Sequence, residues 1–175
     1  MTAAQVLLQR FRQEGSIQGD IVKVDSFLNH MVDPALMQTI GHDIAIRFKN
    51  KQINKILTAE SSGIMVAQAV ATELQIPFVF AKKKRSVTMK KVYTASSYSF
   101  TKQEGTTLYI SHEVLLPGEK VLFVDDFFAK GTTLKALTEI VRQARAQLVG
   151  HAVIINKSKR EDIESIVHLN DLKAR

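Results

Sequence analysis

Residues 121–133 read Val121-Leu122-Phe123-Val124-Asp125-Asp126-Phe127-Phe128-Ala129-Lys130-Gly131-Thr132-Thr133. Four apolar residues predict a buried strand, two carboxylates end it, and a loop of small residues opens a helix to about Ala146. Ligands of open α/β sheets bind beyond the carboxyl ends of the strands, so this is where chemistry is expected. Gly131 lets backbone approach an anion, Thr132 and Thr133 add hydroxyls, and the helix start supplies free N–H groups, which together suit a phosphate monoester. Asp125 and Asp126 are acceptors suited to paired hydroxyls such as those of a ribose. The stretch lacks the Gly-Lys-Ser/Thr of a Walker loop and the Gly-x-Gly-x-x-Gly of a dinucleotide fold.

Outward from this stretch the chain alternates between periods. Lys55–Ala59 predicts a strand, Glu60-Ser61-Ser62-Gly63 a polar turn, Ile64–Leu74 a helix and Phe78–Ala81 the next strand. Such a unit implies a parallel pair with a right-handed crossover. Upstream, residues 3–14 form an amphipathic helix, and Ile21–Val24 a short strand. Asp33-Pro34 then caps a helix running through Phe48. Residues 82–111 interrupt the pattern with a hairpin, its strands joined by the turn Lys102-Gln103-Glu104-Gly105. Leu148–Ile155 predicts another buried strand, followed by a short helix and an edge strand near Val167-His168-Leu169. The expected fold is α/β: a twisted, mainly parallel sheet flanked by helices.

The 175 residues suit one domain, and 45% apolar with 23% charged is a globular composition. With no cysteine there is no disulfide, thiolate nucleophile or zinc site built on sulfur. The five histidines show no metal-ligand spacing, and Ser62 lies in no Gly-x-Ser-x-Gly elbow. Lys plus Arg exceed Asp plus Glu by 24 to 17, for a net +7. Residues 82–91, Lys-Lys-Lys-Arg-Ser-Val-Thr-Met-Lys-Lys, carry six positive charges and no negative one. The basic excess is therefore one segment meeting an anion, or a solvated charge run. No apolar run reaches the ~20 residues of a membrane span, and no targeting segment opens the chain, so a soluble cytoplasmic protein is expected.

The thirteen residues quoted first resemble the phosphoribosyl-pyrophosphate motif of type I phosphoribosyltransferases. Lys23-Val24-Asp25-Ser26-Phe27-Leu28-Asn29-His30 is similar to the N-terminal signature of bacterial xanthine phosphoribosyltransferases. Glu60–Ile64, Phe80–Lys84 and Tyr98-Ser99-Phe100-Thr101-Lys102 resemble that family in order and spacing. The resemblance implies a type I phosphoribosyltransferase domain over 1–175, with a small hood at about 1–33 and a basic flexible hairpin at about 82–111. It implies transfer of phosphoribosyl from 5-phosphoribosyl 1-pyrophosphate to xanthine, with Mg2+ accompanying the pyrophosphate rather than held directly by protein ligands.

On the same resemblance Asp125 and Asp126 are the catalytic pair, and Ala129, Lys130, Gly131, Thr132 and Thr133 bind the donor's 5-phosphate. Lys130 departs from the small or neutral residue common there. Ser61, Ser62 and Gly63, with Lys82 and Lys83, would meet the pyrophosphate, although a Ser-rich turn reads equally as a helix cap. In relatives the hairpin folds over the site as a lid, which would also bring Lys84 or Arg85 near. Val22, Asn29 and Lys157 would hold the base; apart from the resemblance, a lone Asn and a lone Lys read as surface residues. Phe127 either stacks on the base or fills core. Family members usually run past residue 175, so a terminal element of the base pocket or dimer is expected to be reduced. A homodimer is implied. Two rivals stand beside this reading: an adenine or guanine/hypoxanthine transferase, and a non-catalytic regulator that senses the donor and binds nucleic acid.

Overall fold

The computed structural model of the chain describes residues 1–99 and 104–174. Thr2 caps the first helix, α1 (Ala3–Glu14), in a reciprocal capping box with Gln5. Strands β1 (Ser16–Gln18) and β2 (Ile21–Lys23) form an antiparallel hairpin, Ile17 opposite Val22. A single π-helical turn, Asp25–Asn29, leads to α2 (Pro34–Phe48). Asp33 Oδ1 accepts from the amides of Ala35 and Leu36 at 2.9 and 3.1 Å, as the Asp-Pro signal predicts.

Strand β3 (Lys55–Ala59), α3 (Gly63–Leu74) and β4 (Phe78–Ala81) make the expected parallel strand-helix-strand unit. Strands β5 (Val92–Ser99) and β6 (Glu104–Ser111) pair antiparallel in full register. The turn expected at 102–105 and the likeness quoted across 98–102 fall partly on residues 100–103, outside the described residues. Then follow β7 (Lys120–Phe128), α4 (Thr132–Gln143), β8 (Gln147–Asn156), β9 (Glu164–His168) and α5 (Leu169–Lys173).

The main sheet is five-stranded and wholly parallel, ordered β4-β3-β7-β8-β9. Alternation along β7 assigns its two faces. Leu122 and Val124 join the core under α1, α2 and α3, whereas Val121 and Phe123 join the core under α4 and the β5–β6 hairpin. Both faces are covered, so β3 is buried at every position, Thr58 included. The hairpin lies against α4, where Gln143 Nε2 donates to the Thr94 carbonyl at 2.8 Å. Among the described residues no helix is long and apolar enough to cross a membrane.

Two expectations are corrected. Strand β7 does not stop at Val124 but continues to Phe128, so both carboxylates lie within it, and Asp125 pairs with Val153 of β8. Helix α4 stops at Gln143, and Arg145 just beyond it has a positive φ of 56°.

Candidate active site

All five sheet strands run in one direction, so the loops after β3, β4, β7 and β8 gather at one edge. The loop after β7 is the most constrained. Gly131 has φ +73° and is the N-cap of α4, and a Cβ there would lie 2.9 Å from the Phe128 ring. Only glycine accepts that left-handed backbone so close to an aromatic ring. Thr132 and Thr133 follow half-buried at the helix start, while Ala129 and Lys130 are exposed. The sequence-predicted phosphate loop is thus one contiguous turn opening a twelve-residue helix.

Immediately before it, Asp126 is buried and Asp125 half-buried. The Asp126 amide donates to Asp125 Oδ1, and the Phe127 amide to Asp126 Oδ1, both at 2.9 Å. Each carboxylate thereby accepts from the next residue's backbone amide. Burial and the adjacent Asp126 charge push the Asp125 carboxyl well above the usual range, and the Lys83 charge pulls it back.

The loop after β3 meets this pair. A Cβ on Gly63, the first residue of α3, would lie 2.5 Å from Asp125 Oδ1 and closer still to Thr58 Oγ1. Ser61 is exposed and Ser62 half-buried, and the Glu60–Ser61 peptide is cis. The loop after β4 adds the basic segment. The Lys83 amide donates to Glu60 Oε1 at 2.5 Å, so Lys83 sits beside the serine turn. Lys82 bridges to Tyr109 through backbone bonds of 3.0 and 2.9 Å, its ammonium 5.9 Å from the Phe80 ring. Arg85 turns elsewhere: its guanidinium closes its own loop on the carbonyls of Met89 and Lys90 at 3.1 and 3.0 Å.

The residues expected to hold a base come from the N-terminal hood and from β8. Lys157 follows the last residue of β8, and its ammonium donates to the Asp20 carbonyl in the β1–β2 turn. Val22, two residues past that turn, is buried in the cluster that contains Ile154 and Ile155 of β8. Asn29 ends the π-turn, and its Oδ1 is buried without a hydrogen-bond partner. Its neighbours Phe27 and Leu28 belong to the same cluster. Phe127 is half-buried and packs against that cluster too.

Residues 30–168 match the phosphoribosyl transferase domain family. The chain belongs to the phosphoribosyl transferase family. A xanthine phosphoribosyltransferase of Exiguobacterium sp. is 48% identical over 154 residues, 87% of this chain and 80% of that one. A xanthine phosphoribosyltransferase of Lacticaseibacillus casei is 42% identical over 178 residues, 95% of this chain and 93% of that one. Among solved structures, adenine phosphoribosyltransferase of Thermoanaerobacter pseudethanolicus superposes with TM-score 0.77 at 17% identity, covering 93% of this chain and 99% of that chain. The enzyme from Giardia lamblia complexed with 9-deazaadenine gives 0.75 at 20% identity, over 96% and 98% of the two chains. These two share its fold.

Four more residues border this candidate site of the phosphoribosyltransferase; three escaped sequence reasoning, and Glu60 was read only as part of the polar turn. Thr58, fully buried in β3, has a hydroxyl without a hydrogen-bond partner beside Gly63 and Asp125. One threonine in the apolar run Lys-Ile-Leu-Thr-Ala was its only signal. Glu60 anchors Lys83, as above. Arg160 lies 5.4 Å from the Phe128 ring and is held by Asp162 at 2.9 Å, placing a cation near the phosphate loop. Asn156 is fully buried at the end of β8. Among the described residues no cluster of three or more His, Cys, Asp or Glu side chains is placed to hold a metal ion.

Proposed function

We propose that this phosphoribosyltransferase serves purine salvage, moving phosphoribosyl from 5-phosphoribosyl 1-pyrophosphate to N9 of xanthine and giving xanthosine 5'-monophosphate and pyrophosphate. The observation that carries the reading is the meeting, at one sheet edge, of the Asp125–Asp126 pair, the Gly131 turn and the Gly63 turn. Relatives 42–48% identical that bear the name xanthine phosphoribosyltransferase support the choice of base.

The C1'–O bond to pyrophosphate breaks with its electron pair leaving on oxygen, N9 of the base bonds to C1', and the base loses a proton. Positive charge builds on the sugar between these events. Asp125 and Asp126 accept from the ribose hydroxyls, and their negative charge favours that build-up. Ala129, Lys130, Gly131, Thr132 and Thr133 receive the 5-phosphate at the α4 N-terminus. Ser61, Ser62 and Gly63, with Lys82 and Lys83, receive the pyrophosphate. The segment at about 82–111, which carries the β5–β6 hairpin, would close over them as a lid and keep water away.

At the base, Val22 gives apolar contact, Asn29 offers its unpartnered buried oxygen to a ring N–H, and Lys157 donates to the 6-oxygen. An amino group at that position would set two donors face to face, which disfavours adenine. Mg2+ takes most of its ligands from phosphates and water, so it would be held chiefly by the donor's pyrophosphate beside the Asp125–Asp126 carboxylates, where it would supply charge neutralisation of the leaving group; among the described residues there is no larger acidic cluster. A single domain over 1–175, working as a cytoplasmic homodimer, completes the proposal by family analogy.

Turnover of xanthine, guanine, hypoxanthine and adenine with the pyrophosphate donor and magnesium is the test. Xanthine is expected to give the highest kcat/KM; adenine as the best substrate would overturn the assignment. Sequence-selective nucleic-acid binding with no pyrophosphate release from any base would point to a regulator instead.

A further inference from the structure

Lys157 is a long, flexible cation, yet the backbone that carries it is held unusually firmly. Its own amide donates to the Phe128 carbonyl at 2.7 Å. The residue before it, Asn156, is fully buried in β8, paired in register with Phe128 on one side and His168 on the other. The Asn156 side chain turns back on the chain that follows. Its Oδ1 accepts from both the amide and the hydroxyl of Ser158 at 2.8 Å, and its Nδ2 donates to the Arg160 carbonyl at 3.0 Å. The Ser158 hydroxyl oxygen also accepts from the Arg160 amide at 3.1 Å. Both polar atoms of one buried side chain are thus used to fold residues 157–160, with Lys157 at the start of the fold. The far end of the loop leans on the phosphate turn through Arg160 and Phe128.

We propose that Asn156, acting with Ser158, is a positioning residue for purine selection: it fixes the backbone from which Lys157 reaches the base. The inference rests on the proposed role of Lys157. An interior amide is costly unless its polar atoms find partners, and those of Asn156 find theirs in one loop and not in the core. Specificity through a lysine needs this, because an ammonium on four methylenes distinguishes an oxygen from an amino group only if its root is fixed.

The test measures KM for xanthine, KM for the pyrophosphate donor, kcat and the unfolding midpoint in Asn156→Ala, Ser158→Ala, Ser158→Thr, Lys157→Ala and the double variant Ser158→Ala/Lys157→Ala. Ser158→Ala, which leaves the strand core untouched, is expected to raise the xanthine KM roughly tenfold with kcat and midpoint near wild type. Ser158→Thr, keeping the hydroxyl, should restore it. In the Lys157→Ala background the serine change should add nothing further, since the group it positions is gone. An unchanged xanthine KM in both Asn156→Ala and Ser158→Ala, or a serine effect that persists undiminished without Lys157, overturns the inference while the base site stands. No change of xanthine KM in Lys157→Ala removes the base-site role of that lysine and the inference with it.

Discussion

Replacing Gly63 by alanine would put a methyl carbon 2.5 Å from Asp125 Oδ1 and nearer still to Thr58 Oγ1, whereas real Cβ atoms essentially never come within 3.0 Å. The carboxylate oxygen must therefore retreat by about half an ångström to reach the tightest tolerated contact, and by more to reach ordinary packing. Thr58 cannot give way easily. It is fully buried in β3, which is paired with β4 and β7 on its two sides. The strain thus falls on Asp125 or on the first turn of α3, two parts of the proposed site. Two effects oppose each other in stability. Alanine is the better helix former by about 1 kcal/mol, but overpacking costs roughly 1–3 kcal/mol, so the net is a loss of about 1 kcal/mol. In activity nothing compensates: a displacement approaching 1 Å in a reacting constellation costs on the order of 10²-fold. Steady-state kinetics and thermal unfolding on the same protein separate the effects. The expected outcome is kcat/KM down about a hundredfold with a small fall in Tm. A variant with wild-type kinetics and a raised Tm would show that Gly63 does not hold Asp125 in place, and the reasoning fails.

Asp125→Asn and Asp126→Asn should each lower kcat on the order of 10²-fold, read by pyrophosphate release. Asp125→Asn should not lower Tm, because burial and the Asp126 charge already disfavour a carboxylate there. Glu119→Ala should cost about 3 kcal/mol in urea unfolding, since it leaves the Lys55 ammonium, 8% exposed and bonded to both Glu119 oxygens at 2.7 and 2.8 Å, without its counter-charge and with the Val114 carbonyl at 2.8 Å as its remaining partner. Adding Lys55→Met should recover most of that loss. His151 is half-buried, and burial holds its imidazole below the ordinary range. The unfolded chain therefore binds the extra proton more readily, so stability falls as pH drops through about 6.5. His151→Asn should flatten the dependence of Tm on pH between about 5 and 7.

What the sequence disclosed follows the range of the forces involved. Asp33-Pro34 announces α2 because the cap, the fixed proline φ and the helix start are neighbours in the chain. The β3–α3–β4 unit and the Gly131 turn are legible for the same reason. The extension of β7 through Asp125 to Phe128 is not, because two aspartates read as a strand end. Pairing of Asp125 with Val153 and of Phe127 with Ile155 overrides their poor strand propensity. The contacts that assemble the site were equally hidden. Glu60 and Lys83, Thr58 and Asp125, and Asp20 and Lys157 are brought near one another across 23 to 137 residues of chain, and no local pattern couples them. The residues proposed for the base, Val22, Asn29 and Lys157, are reached through family resemblance alone.

The charge balance acquires a different meaning once residues are placed. Six of the positive charges lie in residues 82–91, but they do not act together. Lys83 sits by Glu60 and lowers the Asp125 carboxyl, Lys82 lies near the Phe80 ring, and Arg85 is committed to its own loop. A polyanion would engage a row of such cations along a surface, whereas Lys82, Lys83 and Arg85 are turned to three different surroundings. The electrostatic centre is instead the negative pair, two adjacent carboxylates partly withdrawn from water, of which Asp125 resists ionisation. Lys83 is a cation whose field acts on Asp125 and, on the proposed reading, also on a departing pyrophosphate. On that same reading, as the group leaves and positive charge grows on the sugar, the Asp125 carboxylate would gain a counter-charge that its burial disfavours. The proposed mechanism then predicts a pair better compensated in the transition state than in the ground state, and only such a differential interaction speeds a reaction.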